Sequence, residues 1–240
     1  MILYSLPISN YCGKVLHALR FKDVECEILP PPGGYGSEEY KKRVPSGTIP
    51  ALDHDGVILS ESEVINEYLN EVFPEPNLLP GSAEQRAKIR MLCRLHDLKL
   101  EPIVRSLFPA MSPEKRDAEM VEKRLEEMEQ SLERLRGLIQ TGPFLVGHAP
   151  SLADCAFSQT LMLAGMMWKE LGAEWSLGKE LEDWQQMMGE LAPVQSVLDP
   201  AREATEAWLE GKRASVENDG AVWSFFSRCR TGTVPTVLST

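Results

Sequence analysis

Three prolines and a glycine crowd into the eight residues Pro74-Glu-Pro-Asn-Leu-Leu-Pro-Gly81. Proline has no amide hydrogen and its ring collides with the preceding turn, so a regular helix does not run through such a stretch. The chain divides there, and the two sides differ in kind. All five tyrosines lie between Tyr4 and Tyr68, whereas all five tryptophans lie between Trp168 and Trp223. A repeat would spread both residue types over both sides; two differently built units account for the segregation. A chain of 240 residues accommodates two units at roughly 100–200 residues per domain. The expected boundaries are 1–75 and 84–211. A tail over 212–240 is polar apart from Ala221-Val-Trp-Ser-Phe-Phe226 and receives no assignment.

Upstream of the break, the pattern predicts strand, helix, strand, loop, two strands and helix. A strand at 2–5 precedes a helix at 10–21 and a strand at 25–29, which Pro30-Pro31-Pro32-Gly33-Gly34 ends. Strands at 50–53 and 57–59 flank His54-Asp55-Gly56, whose Asp-Gly step is a hairpin signal. Ser60, with Glu63 three residues on, reads as a capping box ahead of Val64, Ile65, Tyr68, Leu69, Val72 and Phe73 at helical spacing. Downstream, helices are predicted at 84–108 and 113–140, the second broken by Gly142-Pro143. A third opens at the Ser151-Leu-Ala-Asp154 box and runs to about 168, and shorter ones follow at 178–191 and 200–211.

Composition excludes several classes of function. The net charge of −11 repels phosphate backbones, so no nucleic-acid partner is expected. No apolar run approaches the roughly 20 residues that span a bilayer, so no membrane partner is expected. Met1-Ile-Leu-Tyr-Ser5 has neither the basic start nor the cleavable apolar stretch of a signal peptide. Five cysteines without a C-x-x-C pair argue against a disulfide framework or a zinc site and for the reducing cytoplasm. The four histidines are too scattered to suggest a metal site.

Four segments carry a resemblance. Ser9-Asn-Tyr-Cys-Gly-Lys-Val15 lies between the first strand and its helix, and Gly47-Thr-Ile-Pro-Ala-Leu52 leads into a strand. Leu59-Ser-Glu-Ser-Glu-Val-Ile65 opens a helix, and so does Phe144-Leu-Val-Gly-His-Ala-Pro-Ser-Leu-Ala-Asp-Cys-Ala-Phe157. In this order, over residues 1–198, they resemble the glutathione transferase superfamily. The resemblance implies an α/β thioredoxin-like N-terminal domain (βαβ then ββα) followed by an all-α helical bundle. It also implies glutathione as co-substrate and a homodimer. The chain departs from the family at Val44 and Thr48, where Asn and Lys or Gln are common.

The resemblance assigns roles by position. Glu61 and Ser62 match the residues that hold the γ-glutamyl end, and a helix start independently offers free N–H groups to a carboxylate. Ile49-Pro50 would be a cis peptide whose Ile49 backbone pairs with the cysteinyl part. Lys42, with Lys41 and Arg43 beside it, is available to the glycyl carboxylate. Ser9 replaces the first cysteine of a glutaredoxin-type motif. A hydroxyl there cannot form a mixed disulfide, but it can donate a hydrogen bond to the glutathione thiolate.

The energies suffice for that role. Lowering a thiol pKa by two units from about 8.5 requires about 2.7 kcal/mol. A hydrogen bond to a charged group supplies roughly 1.5–3 kcal/mol and a helix terminus roughly 0.3–1 kcal/mol. Ser9 also fits a plain helix cap, and both roles can coexist. Cys12 is the rival, one turn into the helix, and Tyr11 is a third candidate. Tyr4 lies on the strand and, by alternation, should point away. An electrophile pocket between the domains would be lined by Tyr11, His96, Leu100, Phe108, Met111 and Trp168, although apolar residues at helical spacing are more often core.

The leading expectation is a transferase in which Ser9 stabilises the thiolate for attack on an apolar electrophile, by conjugation or reductive elimination. The alternatives are a glutathione-dependent isomerase and a non-catalytic binding or regulatory protein of the same fold.

Overall fold

A computed structural model describes residues 1–140 and 142–214. The first unit is built from β1 (Ile2–Tyr4), α1 (Asn10–Phe21), β2 (Glu27–Leu29), α2 (Glu38–Lys41), β3 (Ala51–His54), β4 (Val57–Ser60) and α3 (Ser62–Val72). The sheet order is β2-β1-β3-β4. β1 runs parallel to β2 and antiparallel to β3, and β3 pairs antiparallel with β4. Alternation sorts the side chains into two layers. Leu3 and its cross-strand partner Leu52 pack with Val15, Leu19, Ile65 and Leu69 of α1 and α3. Tyr4 and its partner Ala51 face the other way, onto Tyr40 and Val44. Tyr4 is thus turned from α1, as alternation predicts, and its ring meets Tyr40 edge-on at 5.4 Å.

Beyond Pro74–Gly81 the described residues are helical. They form α4 (Ala83–Leu95), a π turn (His96–Leu100), α5 (Glu101–Ser106), α6 (Ala118–Arg136), α7 (Leu152–Leu171), α8 (Lys179–Glu190) and α9 (Ala192–Ala214). α7 is the axis of this unit: every residue from Leu152 to Ala164 is buried. A helix apolar all round belongs in the middle of a bundle. Its first turn is held by Asp154, whose carboxylate reaches back to Ser151 N–H at 2.9 Å. None of the helices is long and apolar enough to cross a membrane, among the described residues.

α1 joins the two units. One side packs on α3, while Gly13 lies against α7 so closely that a Cβ would stand 2.2 Å from Gln159 Oε1. At its end, the half-exposed linker is tied down by Lys22, whose ammonium donates to Phe73 O at 2.7 Å and Pro76 O at 2.8 Å.

Several element expectations change. Ser60 is not a helix cap. It ends β4, opposite Ala51, and α3 begins two residues later with Glu61 as an N-cap that makes no side-chain capping bond. The capping box fails because the Glu63 carboxylate turns to Lys14, 3.0 Å away, instead of back to the backbone. The single helix expected at 84–108 contains the π turn. Pro102 lacks an amide hydrogen, and just before it Glu101 N–H bonds to His96 O, one residue further back than an α-helix would have it.

α6 starts after a 3₁₀ turn at Pro113–Lys115, capped by Asp117, and ends at Gly137 rather than at 140. α9 begins at Ala192, eight residues before its internal Pro200, not at it. α2 lies in a Pro- and Gly-rich stretch where a loop is expected, with Ser37 accepting from Tyr40 N–H at 3.0 Å. The aromatic segment at 221–226 lies outside the described residues.

Candidate active site

The sheet register assembles the site. Tyr4 at the end of β1 lies opposite Ala51 at the start of β3, and Ala51 lies opposite Ser60 at the end of β4. Neighbouring strands stand about 4.8 Å apart, so the segments attached to this row emerge side by side. They are the loop to Ser9, the Ile49-Pro50 bond and the turn Glu61-Ser62.

The loop before Ser9 is fixed from both units. Ser5 N–H donates to Leu29 O at 2.9 Å, and Gln159 Nε2 of α7 donates to Pro7 O at 2.8 Å. Ser9 is the N-cap of α1, half-buried, and its Oγ accepts from Cys12 N–H at a long 3.4 Å. A hydroxyl keeps its own hydrogen while accepting, so Ser9 retains a donor for a ligand at the helix terminus. Cys12 is wholly buried and burial pushes its thiol pKa up, so it stays protonated. A buried thiol in that state is not a nucleophile.

Ile49-Pro50 is cis. Thr48, just before it, accepts at its carbonyl from the Tyr40 hydroxyl at 2.9 Å, and Ser46 and Thr48 hydroxyls meet at 2.9 Å. Lys42 is exposed at the end of α2, two residues past Tyr40. Glu61 is exposed and holds φ 73° and ψ 111°, a region L-residues rarely occupy. Such backbone concentrates at ligand-binding turns, where the surroundings impose it. Ser62 follows, almost buried, as the first residue of α3.

The pocket expectation needs correction. His96, Leu100 and Met111 are wholly buried and Trp168 is 4% exposed. Leu100, Met111 and Trp168 belong to the helical core, and Trp168 packs edge-on against Trp175 at 5.1 Å. His96 is neutral, burial having lowered its pKa. Nδ1–H donates to Asp97 at 2.8 Å, and Nε2 accepts the Thr160 hydroxyl at 2.8 Å. His96 and Leu100 of the π turn, Met111 beyond α5 and Trp168 of α7 are taken up in interhelical packing, so they do not line a cleft. Tyr11 and Phe108 keep exposed surface, the latter with its ring 5.0 Å from that of Trp208.

What faces Tyr11 is charged. The Arg105 guanidinium lies over the Tyr11 ring, 5.3 Å from its centroid. It is more than half exposed, and the buried Glu101 holds it through two bonds, Nη2 at 2.6 Å and Nε at 3.3 Å. Burial and the neighbouring Glu101 carboxylate push the Tyr11 phenol far up, so it remains a protonated donor. The sequence reading missed Glu101 and Arg105. Their i,i+4 spacing was visible, but such pairs are usually solvated surface.

Comparison with known proteins identifies the family and the fold. The family profile described as "Glutathione S-transferase, N-terminal domain" matches residues 3–77, and "Glutathione S-transferase, C-terminal domain" matches residues 102–191. Maleylacetoacetate isomerase of Rattus norvegicus is 31% identical over 159 residues, covering 64% of this chain and 73% of the relative. The stringent starvation protein A homolog of Pasteurella multocida is 29% identical over 182 residues, covering 73% and 78%. Among solved structures, a delta-class glutathione transferase of Nilaparvata lugens superposes with a TM-score of 0.75 at 22% identity, over 88% of this chain and 99% of that one.

Proposed function

The chain belongs to the glutathione transferase superfamily, and from that premise we propose that it binds glutathione along the row Tyr4–Ala51–Ser60 and activates its thiol through Ser9. The observation that supports this is the register, which puts Ser9, the cis Ile49-Pro50 bond and the Glu61-Ser62 turn side by side. The γ-glutamyl end lies on the Glu61-Ser62 turn: Glu61 takes the ammonium, and the Ser62 hydroxyl and the α3 terminus take the carboxylate. The Ile49 backbone pairs with the cysteinyl residue as an added strand would. For the glycyl carboxylate, Lys42 is the exposed cation at the end of α2, with Lys41 and Arg43 beside it. The sulfur then stands at the α1 terminus. There the Ser9 hydroxyl donates to it and holds it as thiolate for attack on an electrophile.

Arg105 favours one class of electrophile. Glu101 fixes the guanidinium from one side, and its exposed remainder beside Tyr11 suits an acceptor bearing a carboxylate, which meets it as a charge-assisted pair. This gives weight to a second reading, isomerisation. The thiolate adds to an activated double bond next to a carboxylate, the single bond formed rotates, and elimination releases glutathione unchanged.

A set of variants tests the assignments. Glu61→Ala and Ser62→Ala are expected to weaken glutathione binding about 5- to 30-fold by calorimetry, since each removes a charge-assisted hydrogen bond partly screened by solvent. Arg105→Leu should raise KM for a carboxylate-bearing acceptor and leave glutathione affinity unchanged. Equal affinity in both turn variants would remove the turn from the site.

The protein is proposed to work as a cytoplasmic homodimer. Val64 on α3, Met91 on α4 and Leu98 on the π turn are exposed large apolar residues, 52%, 43% and 55% accessible. An apolar face on these elements is suited to two-fold pairing. Sedimentation equilibrium should return twice the 26.9 kDa chain mass; a monomer at micromolar concentration contradicts the pairing.

A further inference from the structure

Lys14 has no exposed surface, yet it carries a charge. Its ammonium lies where α1, α3 and the π turn meet, 3.0 Å from Glu63 Oε1 and 2.7 Å from Asp97 Oδ1. Taking an ammonium out of water costs several kcal/mol unless partners repay it. Two carboxylates do so here, and they keep the Lys14 pKa raised despite its burial. Pairing of that kind is a weak source of stability compared with an apolar core of the same volume. Its presence calls for another role.

The two carboxylates come from different halves of the site. Glu63 is the residue after Ser62, in the turn that Glu61 enters at φ 73°. Glu61 makes no side-chain capping bond there, and the Glu63 carboxylate in the first turn of α3 is instead drawn down to the Lys14 ammonium as an ion pair. Asp97 stands one turn before Glu101, which clamps Arg105 over Tyr11. Asp97 also accepts from His96 Nδ1, and His96 meets Thr160 of α7. The ammonium itself is 5.9 Å from the centroid of the Tyr11 ring.

We propose that Lys14 is a positioning residue that holds the glutathione half-site and the acceptor half-site in register, through Glu63 on one side and Asp97 on the other. It touches neither substrate. The proposal rests on the glutathione reading of the Glu61-Ser62 turn.

The two arms separate in an experiment. Glutathione affinity is measured by calorimetry. KM and kcat for an aromatic halide and for a carboxylate-bearing acceptor are measured at saturating glutathione. Glu63→Gln should weaken glutathione binding about 3- to 30-fold and leave acceptor KM unchanged; Asp97→Asn should do the reverse. Lys14→Met should move both.

That single variant leaves two half-buried carboxylates without their shared cation, so Lys14→Met/Glu63→Gln/Asp97→Asn is made beside it. With all three charges gone the fold is retained, and both affinities should still fall. Variants that shift only the unfolding midpoint, with glutathione affinity and acceptor KM at wild-type values, overturn the positioning role and leave an ordinary structural ion pair. A wild type that takes up no glutathione in the same calorimeter overturns the underlying reading, and the proposal with it.

Discussion

Asp154→Ala is expected to cost the fold about 3–5 kcal/mol, the size associated with stranding several buried polar groups at once. The carboxylate has no exposed surface and is met by four donors. Oδ1 accepts from Leu145 N–H at 2.9 Å and from Trp184 Nε1–H at 2.8 Å. Oδ2 accepts from Ser151 N–H at 2.9 Å and from the Ser151 hydroxyl at 2.7 Å. It therefore ties together the loop before α7, the first turn of α7 and the middle of α8. Alanine leaves three N–H groups facing a space that water does not reach, each costing about 1–3 kcal/mol; partial relaxation keeps the total below the sum. Urea unfolding followed by tryptophan fluorescence should lose its midpoint accordingly, and the melting temperature should drop by about 6–20 °C for a chain of this size. An unchanged midpoint would mean that the box does not organise α7.

Ser9→Ala is expected to reduce conjugation at neutral pH by roughly 10- to 100-fold, the thiolate fraction lost when a pKa rises one to two units. Glutathione binding should be nearly untouched, because the tripeptide is still held by the Ile49 backbone and the Glu61-Ser62 turn. The loss therefore appears in kcat, not in glutathione KM. Cys12→Ala should change neither, since that thiol is buried and protonated. Ser9→Cys places a low-pKa thiol at a helix N-terminus and should open a mixed-disulfide route with glutathione. Ser9→Ala with undiminished turnover would return Ser9 to a mere cap.

The parts of this account legible in the sequence are those whose signals are local. The strand at 2–5, the Asp55-Gly56 turn and the Ser151–Asp154 box each carry their cause within a few residues, and the α/β-then-α order followed from them. The three segments proposed to hold glutathione were legible because each adjoins a strand end, so their convergence follows once the strands pair.

What escaped depends on residues far apart in the chain. Ser60 and Glu63 have capping-box spacing, but Glu63 is taken by Lys14 from another helix, and Ser60 by the ladder with Ala51. His96 and Leu100 continue the spacing of the core residues Ile89, Leu92 and Val104, and Met111 joins the same core; periodicity alone does not say whether such residues meet a cleft or α7. Glu101 and Arg105 have only the i,i+4 spacing that solvated pairs share, and nothing local signals the Tyr11 ring beneath the guanidinium. Lys14 reads as one more lysine, because nothing local announces that two carboxylates will close over it.

The central claim is that the protein lowers the pKa of bound glutathione through Ser9. Its most direct test is the ultraviolet absorbance of the thiolate in the glutathione complex, titrated against pH for the wild type and for Ser9→Ala. The wild-type complex should show a thiolate forming one to two units below the free-thiol value of about 8.5, and Ser9→Ala should return it to about 8.5. The sign follows from the donor: a hydrogen bond to the charged form favours it, so the deprotonated sulfur appears at lower pH only while the hydroxyl is present. A wild-type complex that titrates at the free-thiol value, or one whose lowered value survives in Ser9→Ala, would contradict the account.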